Sequence, residues 1–340
     1  MLVALGCAEQ TSVAQEPGVG LTAVVGIKVG HHTLKERPTG CTVILTEGGA
    51  VAGVDVRGAS PGTRETELLD PVNAVDRIHA ISLAGGSAFG LDAASGVVRY
   101  LEERGIGYDV RVAKVPIVPS AILIDLRVGN RPDVRPNADC GYAAAKAATS
   151  GPIAEGTVGA GAGATVGKIA GFDRGMKGGL GTAAISLPDG LVVAALVAVN
   201  AAGDVVDPAT GRVVAGVRTE DGRSLADARK LLRAGLAWQP RAGENTTLGV
   251  VATNATLTKA QAKRFAMMAH DGFARAIYPA HTLADGDTIF GIATGARSAD
   301  ANLSVIGALG AEVMSTAILR AIAQATSVPG YPAARDLGTR

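Results

Sequence analysis

Aromatic residues are scarce in this sequence, at 3% of 340 positions with a single tryptophan. Ala, Val, Leu and Gly must therefore fill the core, and a hydrophobic content of 47% is enough for a sizeable one. Glycine is the outlier at 46 residues, roughly twice its usual frequency of about 7%. So many glycines indicate tight turns, close backbone packing or loops that approach a ligand.

Neither sign of charge is in excess, since 32 basic and 31 acidic residues leave a net charge of +1. No basic block or basic-aromatic stripe occurs, so we expect no nucleic-acid partner. The sequence also lacks a stretch of about 18 apolar residues free of charges and helix breakers, which predicts no membrane span.

Cysteine and histidine patterns exclude the common metal sites. The three cysteines, Cys7, Cys41 and Cys140, have no CxxC spacing, which argues against a disulfide framework or a zinc knuckle. We expect Cys41 and Cys140 to be small buried hydrophobic residues. None of the five histidines forms a zinc-ligand pair, and His270 lies in an amphipathic stretch that favours a structural role. A Ser-His-Asp triad would therefore lack its general base.

The first residues allow two interpretations. A short apolar run, Met1 to Gly6, ends at Cys7 and is followed by a polar tail, as at the end of a bacterial lipoprotein signal. The charged segment of such a signal is missing and the run is too short. As written, the sequence predicts a cytoplasmic protein; the alternative is an exported lipoprotein anchored at Cys7, if the true start lies upstream. Residues 1–19 would be a leader or signal remnant, and residues 20–340 one domain.

Hydrophobic patterning predicts alternating strands and helices. The predicted strands cover 41–45, 50–56, 77–86, 181–187, 191–200, 246–254 and 288–295, with a turn at Gly48-Gly49 between the first two. The predicted helices cover 87–104, 137–149, 224–234, 258–277 and 302–326, and residues 201–245 look like an exposed connector. Several strands are apolar on both faces, which favours sheets sandwiched between helices.

A glycine-rich stretch could be mistaken for a cofactor loop. Residues 151–181 hold eleven glycines, and Gly159-x-Gly161-x-x-Ala164 imitates a dinucleotide fingerprint. The stretch lacks a convincing following helix and the acidic residue that such a site needs about 20 positions later. We expect no nucleotide, and no other cofactor.

Residues 243–248 are the candidate chemical centre, because a polar, turn-rich stretch ends there and an apolar strand begins at once. On the simpler interpretation, Thr246 and Thr247 are β-formers at a strand start. A threonine with a free α-amine, however, carries its own base, since that amine has a pKa near 7.7–8.0 and can take the proton from Oγ. To expose the amine, Thr246 Oγ would attack the Asn245 carbonyl and form an ester that water hydrolyses.

At this point the sequence resembles a known family of L-aminopeptidase/D-esterases, β-peptidyl aminopeptidases and nylon-oligomer hydrolases. The resemblance extends over about residues 20–326, and the Asn-Thr-Thr run is similar to the branch with a threonine nucleophile. The runs that carry it are GCTVIL (40–45), VRGASPGTRETELLDP (56–71), LAGGSAFGLDAASGV (83–97), VPIVPSAI (115–122), GTVGAGAGATVGK (156–168), NTTLGVVATNA (245–255) and DGDTIF (285–290).

The resemblance implies a role for six residues. These are Thr246 as nucleophile, Asn245 before the cut, Lys168 as electrostatic assistant, Asn200 as oxyanion-stabilising amide, and Asp285 and Asp287 as carboxylates near the nucleophile. Such roles are chemically sound, because a lysine can lower the pKa of a neighbouring amine or hydroxyl, and an amide can donate to a tetrahedral oxyanion.

Plainer roles stay open for the same residues. Lys168 would then only neutralise a buried carboxylate, and Asn200 would only close a turn. The Asp285-Gly286-Asp287 run would be a loop bend or a divalent-ion site. The sequence also departs from some relatives at Ile124, where they have a tyrosine that helps to hold the oxyanion, so Asn200 and backbone amides would do more of that work.

The resemblance implies a four-layer α/β/β/α sandwich of the N-terminal-nucleophile hydrolase type. It also implies self-cleavage into fragments 1–245 and 246–340, which stay bound as a heterodimer and assemble into homo-oligomers. The expected activity is metal-free hydrolysis of short peptides or amino-acid amides through an acyl-Thr246 intermediate. Endo-hydrolysis of ω-amino-acid oligomers is the enzymatic alternative. A non-catalytic binding protein, or a metal-dependent transferase that uses Asp285 and Asp287, is the alternative from another class.

Overall fold

The computed structural model describes residues 20–241, 243–298 and 302–337, so Cys7 and the leader lie outside the described residues. The strands are β1 (Lys28–Thr33), β2 (Gly40–Val56), β3 (Thr63–Arg64), β4 (Arg77–Ala84), β5 (Tyr108–Asp109), β6 (Lys114–Val115), β7 (Ser120–Ile122), β8 (Thr165–Val166), β9 (Met176–Lys177), β10 (Gly179–Ser186), β11 (Val192–Val199), β12 (Asp204–Val206), β13 (Val213–Ala215), β14 (Leu248–Ala255), β15 (Ile277–Tyr278) and β16 (Thr288–Arg297). The α-helices are α1 (Ala93–Glu102), α2 (Ala138–Lys146), α3 (Ala228–Arg233), α4 (Lys259–Ala276) and α5 (Leu303–Gln324).

One nine-stranded sheet, in the order β10-β11-β14-β16-β2-β4-β7-β3 with β1 beside β2, forms the centre. The prediction of two strands separated by a turn at Gly48-Gly49 is wrong, because β2 runs on as one strand. Gly49 has a φ of 78°, and the pairing with β4 shifts register between Leu45 and Ala50, as at a bulge. The first half of β2 pairs with β1 and β4 and the second half with β16, so this strand belongs to both halves of the sheet.

Alternating residues on the strands face different hydrophobic cores, and three of these cores lie in successive layers. On β11, Val193 and Val197 face the core against α4 and α5, whereas Leu196 faces a middle core shared with the β2–β4 half of the sheet. On β2, Val43 faces the third core, against α1 and α2, and Ile44 faces the middle one. The order is therefore helices, half-sheet, half-sheet, helices, and the predicted four-layer sandwich is confirmed.

Helix α4 begins at a capping box. The side chain of Thr258 accepts a hydrogen bond from the N–H of Gln261, and the Gln261 side chain accepts one from the Thr258 N–H. Helix α2 is capped by Asn137, whose Oδ1 accepts from the Cys140 N–H at 3.1 Å. Both helices begin within one residue of the starts predicted from the sequence, because capping depends only on residues within one turn.

Helix α5 is long and apolar enough to cross a membrane by length and composition alone. Most of that apolar stretch is buried, and the helix packs on α4, β10 and β11. A core helix has the same composition as a membrane span, so its burial explains the apolar sequence.

Two expectations from the sequence are corrected here. Cys41 and Cys140 are buried as expected, but they form a disulfide across a sequence separation of 99 that joins β2 to α2. The stretch 201–245 is only partly an exposed connector. Strand β12 of this stretch pairs with β13, in the same stretch, and with β15, outside it. The buried Asp204 carboxylate accepts hydrogen bonds from the Val217 and Ala228 N–H groups. Local polarity did not reveal that these residues are folded against the rest of the domain.

Candidate active site

The register of three adjacent strands places the central residues side by side. β11 pairs antiparallel with β14, Ala198 opposite Leu248, and β14 pairs parallel with β16, Leu248 opposite Thr288. If both registers are continued for two more residues, Thr246 lies between Asn200 and Gly286. The Thr246 N–H accordingly donates to the Asn200 carbonyl at 3.1 Å.

The peptide bond before Thr246 is held in a polarising arrangement. Thr246 Oγ lies 2.5 Å from the carbonyl oxygen of Asn245, and the N–H of Gly286 donates to that same oxygen at 2.9 Å. The Asn245 N–H donates to the Ala284 carbonyl at 3.0 Å. Residue 245 is therefore fixed on both sides by the 284–286 loop, with a backbone donor aimed where negative charge would develop.

Lys168 is buried and approaches Asn200 from the other side. Its Nζ donates to Asn200 Oδ1 at 3.1 Å and to the Asn200 carbonyl at 3.3 Å. Burial lowers the pKa of Lys168 to about 7, although the nearby Asp285 carboxylate acts to raise it. The ammonium and the Thr246 N–H thus share one acceptor, and near neutral pH a large fraction of this lysine is uncharged.

Both polar atoms of the Asn200 side chain have hydrogen-bond partners. Its Oδ1 also accepts from the Thr165 N–H at 2.9 Å, while its Nδ2 donates to the carbonyl of Ile124 at 3.0 Å. The amide donor therefore points to Ile124, and Gly286 provides the donor on the Asn245 carbonyl.

Asp285 is a buried carboxylate with backbone partners. Its oxygens accept hydrogen bonds from the N–H groups of Ala202 and Thr282, at 3.2 and 3.1 Å, and from the Thr282 hydroxyl. Burial, and to a smaller extent the neighbouring Asp287 carboxylate, raises the pKa of Asp285 to about 6.

Asp287 anchors the backbone after Thr246. Its Oδ1 accepts from the Thr247 N–H at 2.9 Å, and its Oδ2 accepts from the His281 N–H at 3.0 Å and lies 2.8 Å from His281 Nδ1. The carboxylate therefore ties the start of β14 to the loop that carries His281.

The structure brings all the predicted site residues together, since Thr246, Asn200 and Lys168 are linked by direct bonds and the two aspartates hold the flanking backbone. In the uncut chain, the hydrogen bonds among the described residues place neither carboxylate on the Thr246 hydroxyl. Over the same residues, no group of three or more His, Cys, Asp and Glu side chains is arranged to hold a metal ion.

Sequence analysis missed two contributors. A Cβ on Gly286 would lie 2.7 Å from Thr246 Oγ and 2.4 Å from the Ser60 carbonyl, so only glycine leaves room there. The glycine between the two aspartates was the available signal, interpreted as a loop bend. His281 gave no signal in the sequence. It contacts Asp287, six residues later, only through the turn of the chain at His281 itself, whose φ is 57°.

A cavity of about 200 Å³ adjoins the chain just before Asn245. Gly243 and Glu244 line it on one side, with Ile124 and Thr165, both partners of Asn200, on another. Apolar side chains form much of the remaining wall: Leu126, Val128, Phe172 and Tyr331.

Comparisons with known proteins show the family of this chain. The family model described as peptidase family S58 matches residues 20–335. An uncharacterized aminopeptidase of Mycobacterium leprae (strain TN) is 44% identical over 346 residues, covering 93% of each chain. A 6-aminohexanoate-oligomer endohydrolase of Kocuria sp. (strain KY2) is 33% identical over 310 residues, covering 87% of this chain and 84% of that protein.

Solved structures show the same fold. A Burkholderia sp. β-aminopeptidase superposes with a TM-score of 0.65 at 24% identity, covering 93% of this chain and 90% of its own. The L-aminopeptidase D-Ala-esterase/amidase of Ochrobactrum anthropi, described as a variant of the Ntn-hydrolase fold, gives 0.69 at 20% identity, covering 94% and 91%. The chain thus has the Ntn-hydrolase fold, and with nearly its whole length matched it belongs to peptidase family S58 and is a peptidase.

Proposed function

We propose that this protein cleaves itself between Asn245 and Thr246 and then hydrolyses short peptides or amino-acid amides with Thr246 as nucleophile. The observation that carries the proposal is the pair of contacts on one atom. The Asn245 carbonyl oxygen lies 2.5 Å from Thr246 Oγ and 2.9 Å from the Gly286 N–H. A nucleophile and an oxyanion donor at one carbonyl are the two parts that acyl transfer requires.

In the first step, Thr246 Oγ attacks the Asn245 carbonyl carbon and the bond to the Thr246 nitrogen breaks. The proton leaves Oγ and ends on that nitrogen, which becomes a free amine, while Asn245 is held as an ester on Oγ. Water then adds to the ester, which releases the Asn245 carboxylate and restores the Thr246 hydroxyl. Fragments 1–245 and 246–340 remain together because both supply strands to the central sheet.

The first step needs a base before the α-amine exists. Lys168 is suited to this task because its pKa of about 7 leaves much of it neutral near pH 7, and its Nζ and the Thr246 N–H meet at the Asn200 carbonyl. After cleavage the α-amine of Thr246 can serve as the base itself, and Lys168 acts electrostatically.

In the mature enzyme, a substrate carbonyl takes the place of the Asn245 carbonyl. Its oxygen receives the Gly286 N–H, and Thr246 Oγ displaces the substrate amine to form the acyl-enzyme that water hydrolyses. Asp287 keeps the start of β14 in position through the Thr247 N–H, so the nucleophile stays aimed at that point.

A second activity is supported by the names of three relatives. The Kocuria protein at 33% identity is named as an endohydrolase of 6-aminohexanoate oligomers. Incubating the enzyme with such oligomers and with amino-acid p-nitroanilides, with and without a chelator, separates the options. Hydrolysis of oligomers within the chain supports the endo-activity, chelator-resistant release of terminal residues supports the aminopeptidase, and loss of activity with chelator supports a metal enzyme.

Intact mass and N-terminal sequencing of the purified protein test self-cleavage. The 340 residues weigh 34.0 kDa, so cleavage before Thr246 gives fragments of about 24 and 10 kDa. The smaller fragment should begin Thr-Thr-Leu-Gly. An unbroken chain that hydrolyses amides at full rate would refute the proposal.

Thr246→Ala tests the nucleophile, and Thr246→Ser and Thr247→Ala are its matched controls. Thr246→Ala removes the nucleophile and should leave one uncut, inactive chain, whereas Thr246→Ser retains a hydroxyl and should still cleave. Thr247→Ala keeps the N–H that Asp287 accepts and should cleave at the same bond. A cut Thr246→Ala protein would show that another residue attacks.

A further inference from the structure

A second fully buried lysine, Lys177, lies behind the backbone that binds Asn200. Its Nζ donates to the carbonyls of Gly161, Ala164 and Gly178 at 2.8, 2.9 and 3.1 Å. All three of these acceptors are neutral. Burying an amine against neutral groups is costly, and such groups are often found at functional sites, so Lys177 is a candidate for a role there.

Lys177 acts on Asn200 through one peptide group. The Ala164 carbonyl and the Thr165 N–H belong to the same peptide group. Lys177 Nζ and, at 2.8 Å, the Gly178 N–H donate to its oxygen, and its N–H donates to Asn200 Oδ1 at 2.9 Å. Thr165 also pairs with Lys177 across β8 and β9. A donor on the oxygen of a peptide group polarises its N–H, so Lys177 both fixes and strengthens the bond to Asn200.

The two buried lysines differ in the number of acceptors around Nζ. Among the described residues, Lys177 Nζ has three acceptors, whereas Lys168 Nζ has two, both on Asn200. An ammonium group carries three hydrogens and a neutral amine carries two. The ammonium form therefore suits Lys177. At Lys168 the neutral amine can keep both bonds while its lone pair stays free to take a proton.

The charges around the two amines oppose a second ammonium. Burial is the main cause that lowers the pKa of each lysine to about 7. The Asp285 and Glu244 carboxylates act to raise the pKa of Lys168, and the Asp125 carboxylate acts to raise that of Lys177. The charge on Lys168 lowers the pKa of Lys177, and because Coulomb repulsion is mutual, a charge on Lys177 disfavours one on Lys168. The acceptor counts then assign the charge to Lys177.

We propose that Lys177 is a positioning residue for self-cleavage: as the charged member of the lysine pair, it keeps Lys168 neutral and holds the Ala164–Thr165 peptide group against Asn200. This inference rests on the proposed function, in which Lys168 is the base of the first step. Lys177 acts through Lys168 and Asn200 rather than on Thr246 itself.

The test follows self-cleavage of freshly synthesised protein on denaturing gels as a function of pH. Lys177→Met removes the charge and the donors, whereas Lys177→Gln removes the charge but keeps a donor. Both should raise the pH of half-maximal rate by about 1 unit, because Lys168 then holds its proton to higher pH. The plateau rate should fall about tenfold in Lys177→Met, since the Ala164 carbonyl loses a donor, and less in Lys177→Gln.

Lys259→Met is the matched control. Lys259 is also buried, and its Nζ also donates to three carbonyls, those of Leu68, Asn73 and Val75, at 3.0, 2.7 and 3.0 Å. These bonds join the start of α4 to the 68–75 segment and involve no residue of the candidate site. The same loss of bonds should therefore lower the thermal stability but leave the pH of half-maximal rate at the wild-type value.

A second measurement does not depend on the folding of a Lys177 variant. In uncut Thr246→Ala protein with isotope-labelled lysine, NMR titration should show a buried amine that loses its proton near pH 7. Lys168→Met in the same background should remove that signal, while Lys177 keeps its proton to higher pH.

Two results would overturn the inference. One is a Lys177 that loses its proton before Lys168. The other is a Lys177→Met or Lys177→Gln chain that is cut with the wild-type pH of half-maximal rate, whatever its plateau, since a merely structural role lowers the plateau alone. A wild-type chain that is never cut would instead refute the proposed function.

Discussion

Replacing Gly286 by alanine should slow the proposed self-cleavage strongly while leaving the fold in place. An added Cβ would lie 2.4 Å from the Ser60 carbonyl oxygen and 2.7 Å from Thr246 Oγ, closer than real Cβ atoms approach. One neighbour is backbone, so the 285–287 loop or the nucleophile must move. Either movement disturbs the 2.9 Å bond from the Gly286 N–H to the Asn245 carbonyl.

The size of the effect follows from the role of that bond. Loss of one oxyanion donor slows acyl transfer by about 10²–10³-fold, or about 2.7–4 kcal/mol. Misplacing a reacting group by about 1 Å has an effect of about 10²-fold. We therefore expect Gly286→Ala to self-cleave about 10²–10³-fold more slowly than wild type.

The assay follows freshly synthesised protein on denaturing gels as the 34.0 kDa chain gives way to its fragments. Gly48→Ala is the matched control, because Gly48 has no heavy atom within 4 Å of an added Cβ. Thermal unfolding of Gly286→Ala and uncut Thr246→Ala should agree, which excludes misfolding as the cause. Cleavage of Gly286→Ala as fast as Gly48→Ala would refute the role assigned to this glycine.

Three further outcomes are expected. The self-cleavage rate should rise with pH and reach half its plateau near pH 7, because the neutral fraction of Lys168 increases as the pH passes its pKa of about 7. Lys168→Met should abolish the plateau. An unchanged pH–rate profile in that variant would exclude Lys168 as the base. His281→Ala should leave self-cleavage slower but not abolished, since Asp287 keeps its bond to the Thr247 N–H but loses the contact with the imidazole; gel kinetics would show this, and a wild-type rate would make that contact dispensable. Cys140→Ala should lower the free energy of unfolding by about 2–5 kcal/mol, measured by denaturant titration, because the Cys41–Cys140 disulfide closes a long loop; if the wild-type protein is equally stable with and without reductant, the bond contributes nothing.

Local chemistry explains which parts of the fold were predictable. The capping residues Thr258 and Asn137 act within one helical turn, and α4 and α2 begin within one residue of their predicted starts. Strand β2 was predicted as two pieces, because Gly48-Gly49 favours a turn in isolation and only pairing with β4 and β16 keeps the chain extended. Likewise, Cys41 and Cys140 carry no spacing signal, and only the packing of α2 on β2 brings them together.

The sequence by itself determined the chemical group, a threonine at the start of an apolar strand, and the residues that a family resemblance assigns to it. Tertiary structure decided the geometry, since the registers of β11, β14 and β16 place Asn200 and Gly286 on either side of Thr246. It also decided the electrostatics, because the burial of these two charged side chains brings the pKa of Lys168 to about 7 and that of Asp285 to about 6. The sequence pattern around them does not reveal that burial. A residue's type is local, but its neighbours and its access to water depend on the whole fold.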